Sequence, residues 1–168
     1  MQGLLVNAIQ EFEPGKRVVA VTDLSATEDY ADDAFPRAGF IPNSILVEII
    51  VQAASLFLGA SHDFCLKAVP ILLTTVSFNG ALRPGARFTV EERVLALEDH
   101  AALMQAVGTS EGANIVEAEF IMGFGSDEGT WALPANQALQ RRYFQAVVGG
   151  SVAQSDSDED RCDGARRG

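Results

Sequence analysis

The sequence predicts an α+β fold in which a curled antiparallel sheet wraps around one long central helix. A single apolar run, Ile45 to Ala60, has the length and composition of a buried helix. Short segments rich in apolar and β-branched residues, separated by turn residues, stand on both sides of that run and read as strands. Because a sheet buries one face and a helix one stripe, the two layers are expected to cover each other.

The segment before the helix is typical of a β-hairpin. Strand-like residues from Gly3 to Leu24 flank a Pro14-Gly15 turn, and Arg17 to Val21 is rich in β-branched residues. Residues 25–43 are polar and are punctuated by Pro and Gly, and they are expected to lead from the hairpin to the apolar run of the helix.

The apolar run is expected to be a core helix and not a membrane segment. Glu48 and Gln52 interrupt it, and it falls short of the roughly 20 residues that cross a bilayer. Asn43 or Ser44 is expected to cap the start of the helix, and Gly59 to end it. The first residues show no secretory-type pattern, so the cytoplasm is the expected location.

The second half of the chain predicts consecutive antiparallel strands followed by an extra helix. The strand-like runs are Val69–Phe78, Arg87–Leu97, Ala101–Thr109 and Asn114–Gly123. Ala135 to Val148 places apolar residues at helical spacing. We therefore expect a main domain at residues 1–126, a C-terminal amphipathic helix extension at 127–149 and a disordered acidic tail at 150–168.

Composition favours a globular protein that does not bind nucleic acid. Of 168 residues 48% are hydrophobic and 21% are charged, as in ordinary folded domains. The net charge of −11 opposes binding to phosphate backbones, which requires clustered Lys and Arg. The two cysteines, Cys65 and Cys162, show no metal or redox spacing and are expected to be reduced thiols, and no metal ion is expected.

Residues 32–53 carry the most specific pattern in the chain. They read DDAFPRAGFIPNSILVEIIVQA, which resembles the motif G-H-F-P-x-x-P-x-M-P-G-x-L-x-x-E-x-x-x-Q-A of the (3R)-hydroxyacyl-acyl carrier protein dehydratases. The matching positions keep the register of the motif without insertion, and they are Phe35-Pro36, Pro42, Glu48, Gln52 and Ala53. The resemblance extends over roughly Leu4 to Phe124, and it implies the hotdog fold, in which a sheet wraps one helix.

The resemblance also implies a site, which this chain keeps only in part. In the family a histidine removes the proton α to the thioester carbonyl, while a glutamate from the partner subunit handles the departing hydroxyl. Glu48 stands at the glutamate position, but Ala34 stands at the histidine position. Gly39 replaces the first motif proline, and Asn43 replaces the glycine that opens the helix. Ordinary dehydration is therefore expected to be impaired.

Several residues are candidates for binding and chemistry around Glu48. The backbone amides at Asn43 and Ser44 can point at a thioester carbonyl, since the positive end of the helix dipole favours negative charge there. Phe35 and Gln52 match the motif and are expected beside the substrate. The alternative for Glu48, which has apolar neighbours in sequence, is a structural bond to Gln52 one turn later.

Other titratable residues are weaker candidates for the missing base. Asp32 and Asp33 precede Ala34 and can in principle supply a second carboxylate, although acids before a turn are usually solvated. His62 and His100 lie outside the motif and are expected at the surface.

The sequence thus supports three functional hypotheses. The first is an acyl-thioester-binding member of the dehydratase family, acting in fatty acid biosynthesis or on polyketide-type chains and receiving its substrate from acyl carrier protein or coenzyme A. The second is a thioesterase that uses Glu48, because some hotdog enzymes hydrolyse thioesters with one helix carboxylate. The third is a silent partner of an intact dehydratase. A homodimer or higher even oligomer, or a heterodimer with a paralogue, is expected, and no cofactor is required.

Overall fold

The computed structural model describes residues 5–24, 39–125 and 134–148. They form six strands and two helices in the order β1 (Ala8–Glu13), β2 (Arg17–Asp23), α1 (Asn43–Ser61), β3 (Lys67–Phe78), β4 (Arg87–Leu97), β5 (Ala101–Ser110), β6 (Ala113–Gly125) and α2 (Pro134–Val147). All neighbouring strands are antiparallel, and their order in the sheet is β1-β2-β4-β5-β6-β3. The predicted α+β arrangement of one antiparallel sheet, a central helix and a C-terminal helix is confirmed.

The core lies between α1 and one face of the sheet, here called the inner face. Phe57 and Leu46 of α1 are fully buried, as are Phe88 of β4 and Phe120 of β6. Because side chains alternate between the two faces of a strand, residues next to these strand positions point to the outer face. Burial of each large apolar side chain contributes about 1.5–3 kcal/mol, so this layer supplies most of the stability.

Helix α1 has different ends from those expected. Its N-cap is Pro42 and no side chain caps the start, so the expected cap by Asn43 or Ser44 is wrong. The helix also continues past Gly59 to Ser61. A Cβ atom on Gly59 would lie 3.2 Å from the ring of Phe64, so this glycine makes room for the ring inside the helix and does not end it.

Helix α2 packs over one end of the core. The ring of Phe144 lies 5.1 Å from that of Phe12 in β1 and 5.8 Å from that of Phe64, centroid to centroid. Arg141 donates a hydrogen bond to the main-chain oxygen of Asp63. The predicted amphipathic extension is therefore a helix docked on α1 and β1, whereas the predicted tail at 150–168 lies outside the described residues.

Two further sequence expectations are settled by the tertiary arrangement. Within the described residues α1 alone is long and apolar enough to cross a membrane by length and composition, and 56% of that window is buried inside the fold. Cys65 is disulfide-bonded, so the expectation of a reduced thiol is wrong for this residue.

Candidate functional site

The expected site lies on the first half of α1, where Glu48 is exposed at the surface of the single chain. Its sequence neighbours Ile49 and Ile50 are buried, because successive residues of a helix point in directions about 100° apart. The apolar surroundings expected for Glu48 are therefore not supplied by the described residues of one protomer. The carboxylate is accessible to a ligand or to a second subunit.

Gln52 bonds Glu48 and is itself held in place. Its Nε2 donates a hydrogen bond of 2.9 Å to Oε1 of Glu48, as the structural reading of the sequence predicted. Its Oε1 accepts a bond of 2.8 Å from the main-chain N–H of Leu5. Since one end of the amide must accept and the other must donate, these two bonds fix its orientation. Sequence reasoning missed Leu5, which lies 47 residues away from Gln52.

The start of α1 presents main-chain amides near this carboxylate. Asn43 and Ser44 are exposed in the first turn, about 7 Å along the helix axis from Glu48 at 1.5 Å per residue. The loop before them is tied to the sheet by a bond of 2.7 Å from the N–H of Ile41 to the oxygen of Leu82. The helix start is thus anchored, and its positive end faces the surface.

The first part of the motif, residues 33–38, lies outside the described residues. Ala34 and Phe35 lie in the segment 25–38, outside the described residues, as do Asp32 and Asp33. The arrangement of Glu48 relative to the degenerate histidine position is therefore still a prediction.

The two histidines differ. His100 is exposed, as predicted, but His62 is half-buried next to the ring of Phe124, 5.5 Å away, and its Nε2 has no hydrogen-bond partner among the described residues. Burial lowers the pKa of His62, and the charge of Asp63 opposes that effect. The surface position expected for His62 is wrong, because the turn after α1 folds it back onto β6.

A cavity of about 190 Å³ opens at the far end of α1. Its lining includes Ser55, Gly59, Val69 and Gln140. Ser55 and Gly59 follow Glu48 by 7 and 11 residues and therefore lie on the same side of the helix. The lining mixes apolar side chains such as Phe64 and Leu66 with the polar side chains of Ser55, Lys67 and Gln140.

Glu92 is a buried carboxyl that sequence reasoning missed. It lies on the inner face of β4, is fully buried, and neither of its oxygens has a hydrogen-bond partner among the described residues. Burial raises the pKa of the Glu92 carboxyl well above its usual range. The same described part of the chain contains no group of three metal-ligating side chains.

Known proteins that are similar in sequence include 3-hydroxyacyl-acyl-carrier-protein dehydratases. No family model matches the chain. The 3-hydroxyacyl-acyl-carrier-protein dehydratase FabZ of Ruminiclostridium cellulolyticum is 34% identical over 93 residues, a match that covers 55% of this chain and 66% of that enzyme. The enzyme of the same name from Clostridium novyi is 25% identical over 123 residues, covering 73% of this chain and 87% of the enzyme.

Solved structures share the fold at low sequence identity. The protein smu.793 from Streptococcus mutans, bound to acetyl CoA, is similar with a TM-score of 0.57 and 15% identity, covering 73% of this chain and 90% of that one. The dehydratase heterocomplex ApeI:P from Xenorhabdus doucetiae is similar with a TM-score of 0.58 and 14% identity, covering 72% and 82%. At such identities the likeness establishes the architecture.

Proposed function

Because the chain belongs to the hotdog-fold family of the 3-hydroxyacyl-acyl carrier protein dehydratases, we propose that it binds an acyl thioester at the start of α1 and is impaired in dehydration. The substrate arrives on acyl carrier protein or coenzyme A. The observation that carries the proposal is the accessible carboxylate of Glu48, held by an oriented Gln52 at the family position.

The site keeps the groups that bind a thioester and loses one that reacts with it. The amides of Asn43 and Ser44 face the developing negative charge of the thioester carbonyl. The end of the acyl chain lies towards the cavity at Gly59, on the same side of the helix. Ala34 cannot take the α-proton, and loss of a positioned base typically costs about 10²–10⁴-fold in rate.

Adding back the histidine tests this assignment. We expect the parent protein to form enoyl-thioester from 3-hydroxyacyl-pantetheine very slowly or not at all, and Ala34→His to increase the rate. The gain should disappear in the double variant Ala34→His with Glu48→Gln, because both halves of the pair are needed. The measurement is ultraviolet absorbance of the enoyl-thioester.

Two results would count against the proposal. If the parent already runs at the rate of Ala34→His, another group supplies the base, with Asp32 and Asp33 the first candidates. If Ala34→His binds acyl-pantetheine yet gains nothing, the changes at Gly39 and Asn43 have altered the pocket beyond the loss of one side chain.

Thioester hydrolysis is the second candidate, and the exposure of Glu48 favours it. The carboxylate takes a proton from water, the hydroxide oxygen bonds to the carbonyl carbon, the carbon–sulfur bond breaks, and the thiolate leaves and is protonated. Release of free thiol from acyl-pantetheine by the parent, absent in Glu48→Gln, would support this reaction. Thiol release at equal rates in both proteins would exclude Glu48 as its base.

A silent-partner role is the third candidate. The similar structure from Xenorhabdus doucetiae is a dehydratase heterocomplex, and a subunit that has alanine at the histidine position can still lend its Glu48 to a partner. Co-expression with an intact paralogue tests this role. A stable complex whose dehydration rate falls on Glu48→Gln in this chain supports it, and failure to co-purify counts against it.

A homodimer completes the site in this proposal. Strand β3 is at the edge of the sheet, and its inner-face residues Leu73 and Phe78 are 43% and 39% exposed although they point to the side that α1 covers elsewhere. In the proposal, a second copy joined at this edge covers them and supplies its own Ala34 position to the site at Glu48.

Neither proposed reaction needs a cofactor, because both add or remove the elements of water without any change of oxidation state. The cytoplasm remains the proposed compartment. The disulfide at Cys65 is of a kind more common in oxidising compartments, so thiol alkylation in cells followed by mass spectrometry checks the location.

A further inference from the structure

The outer face of the sheet carries a band of large aliphatic side chains that the proposed thioester site does not use. The band crosses four neighbouring strands and consists of Ile71 and Leu72 of β3, Ile121 of β6, Leu103 of β5 and Leu95 of β4. Cross-strand pairing joins Leu72 to Ile121 and Ile121 to Leu103. Leu95 stands beside Ala96, the residue opposite Leu103.

The orientation of this outer band follows from its neighbours. Leu95 is the extra residue of a β-bulge between Val94, which pairs with the fully buried Met104, and Ala96, which pairs with Leu103 of the band. Because the two residues of a bulge stand opposite one residue of the neighbouring strand, Leu95 lies with Ala96 opposite Leu103. Ile71 lies over Gly123, where an added Cβ would come within 2.4 Å of its Cδ1. The exposed fractions of Ile71, Leu72 and Leu95 are 64%, 55% and 48%. Contiguous exposed apolar surface of this kind marks an interaction site.

A polar row borders the outer band on one side. It consists of Thr75, Glu119, Gln105 and Arg93, which pair in that order across the same four strands. An acid thus stands on β6 and a base on β4, with neutral side chains on the other two strands. A surface that packs against the outer face must therefore avoid placing an acid over Glu119 or a base over Arg93.

We infer that the outer band docks a second copy of the same face, related by a two-fold axis that runs along the strands between β5 and β6. Such an axis places β5 opposite β6 and β4 opposite β3 of the second copy. The resulting facing pairs are Leu95 and Ala96 of the bulge with Leu72, Leu103 with Ile121, Arg93 with Thr75 and Gln105 with Glu119.

Self-complementarity supports a second copy as the occupant. Apolar side chains face apolar side chains along the band, and no like charges face each other along the polar row. The guanidinium of Arg93 meets a hydroxyl, and the amide of Gln105 can donate to the carboxylate of Glu119. Two antiparallel sheets pack face to face at about 10 Å in this aligned manner. Isologous contact of a patch with itself is also the commonest symmetry of oligomers.

This contact is separate from the edge contact proposed for the thioester site. Edge pairing uses the main chain of β3 and the inner face, whereas the outer band uses side chains that point away from α1. Both contacts can therefore form at once, and the inference does not rest on Glu48 or on any activity.

Light scattering of the full chain tests the inference. We expect Leu95→Glu to halve the molar mass of the parent assembly at micromolar concentration, whether or not the edge contact is also present. Leu95 is in an interior strand and is half exposed, so the substitution should leave the fold intact, as circular dichroism can verify. The control Thr109→Glu adds the same charge to the outer face of the sheet, but on β5 and about 20 Å along that strand from Leu103. It should leave the molar mass of the assembly unchanged.

Charge pairing tests the symmetry itself. Leu95→Lys and Leu72→Glu should each halve the mass, and their combination should restore it, because the introduced ammonium then faces the introduced carboxylate of the other copy. Within one chain the two positions are three strands apart, about 14 Å, so they cannot pair internally. Equal masses for the parent and Leu95→Glu, or a folded double variant that stays dissociated, would overturn the inference. The inference is supported if each single variant halves the molar mass and only their combination restores it.

Discussion

At the scale of single residues, the candidate site depends on the side-chain amide of Gln52, whose oxygen and nitrogen each make a hydrogen bond. Gln52 accepts from Leu5 and donates to Glu48, so one oxygen of the carboxylate is held and oriented. Hydrogen bonds to an ionised acceptor are stronger than those between neutral groups. The N-terminal segment therefore helps to position the carboxylate that we propose for catalysis.

Glu48→Gln should remove whatever thioester chemistry the protein or its Ala34→His variant performs, by about 10²–10⁴-fold. The amide keeps the shape of the side chain but cannot accept or release a proton at neutral pH. Because Glu48 is exposed, the urea midpoint should stay close to that of the parent. Enoyl-thioester formation and thiol release are the measurements, with Glu111→Gln in an exposed turn as the control.

Glu92 should make stability depend on pH in the opposite sense to a salt-bridged acid. Its pKa is raised in the folded state by burial, so the native state binds the proton more tightly than the unfolded state does. The stabilising contribution is complete below the unfolded-state value and is lost as pH rises through the raised pKa. Among the residues that the structure describes, the neighbouring cations Arg17 and Arg93 lie on the outer face and bond to Glu91 instead.

Glu92→Val should therefore raise the free energy of unfolding at neutral pH by about 1–3 kcal/mol, the cost typical of a buried polar group without a partner. The variant should also lose the part of the pH dependence described above. Urea unfolding between pH 5 and pH 9 measures both effects. A parent whose stability is flat over that range, or a variant that keeps the same slope, would contradict this account of Glu92.

At the scale of elements, α2 closes the end of the core by aromatic contacts. Phe144 lies edge-on to Phe12 and Phe64, and Phe12 in turn contacts Phe57 of α1 at 5.9 Å. Edge-to-face pairs add to the gain from burial. The extension thus belongs to the packed body of the protein.

Phe144→Ala should lower the free energy of unfolding by about 1–3 kcal/mol, because a partly buried ring that packs against Phe12 and Phe64 is lost. Gln145→Ala, an exposed position on the same helix, is the matched control and should have little effect. Denaturant midpoints compare the two variants. Equal stability for both would mean that α2 does not stabilise the fold in solution.

At the scale of the whole molecule, two different surfaces of one sheet leave large apolar side chains exposed. The edge strand β3 leaves Leu73 and Phe78 exposed towards the helix side, while the outer band faces away from it. If both contacts form, Leu73→Glu and Leu95→Glu should each halve the mass of the assembly. The two together should give the single chain of 17.9 kDa. A folded double variant that keeps the mass of either single variant would mean that the surfaces are not independent.

The sequence by itself determined the number and order of the described strands and helices, the central place of α1 and the register of the motif around Glu48, because local periodicity and turn residues act over a few neighbours. It did not determine burial correctly at the two glutamates that matter most. Glu48 has apolar neighbours in sequence yet is exposed, whereas Glu92 stands between Glu91 and Arg93 yet is fully buried. Burial depends on the direction of the side chain and on which element covers that direction. Only the wrapping of the sheet around α1, which joins residues far apart in the chain, decided it.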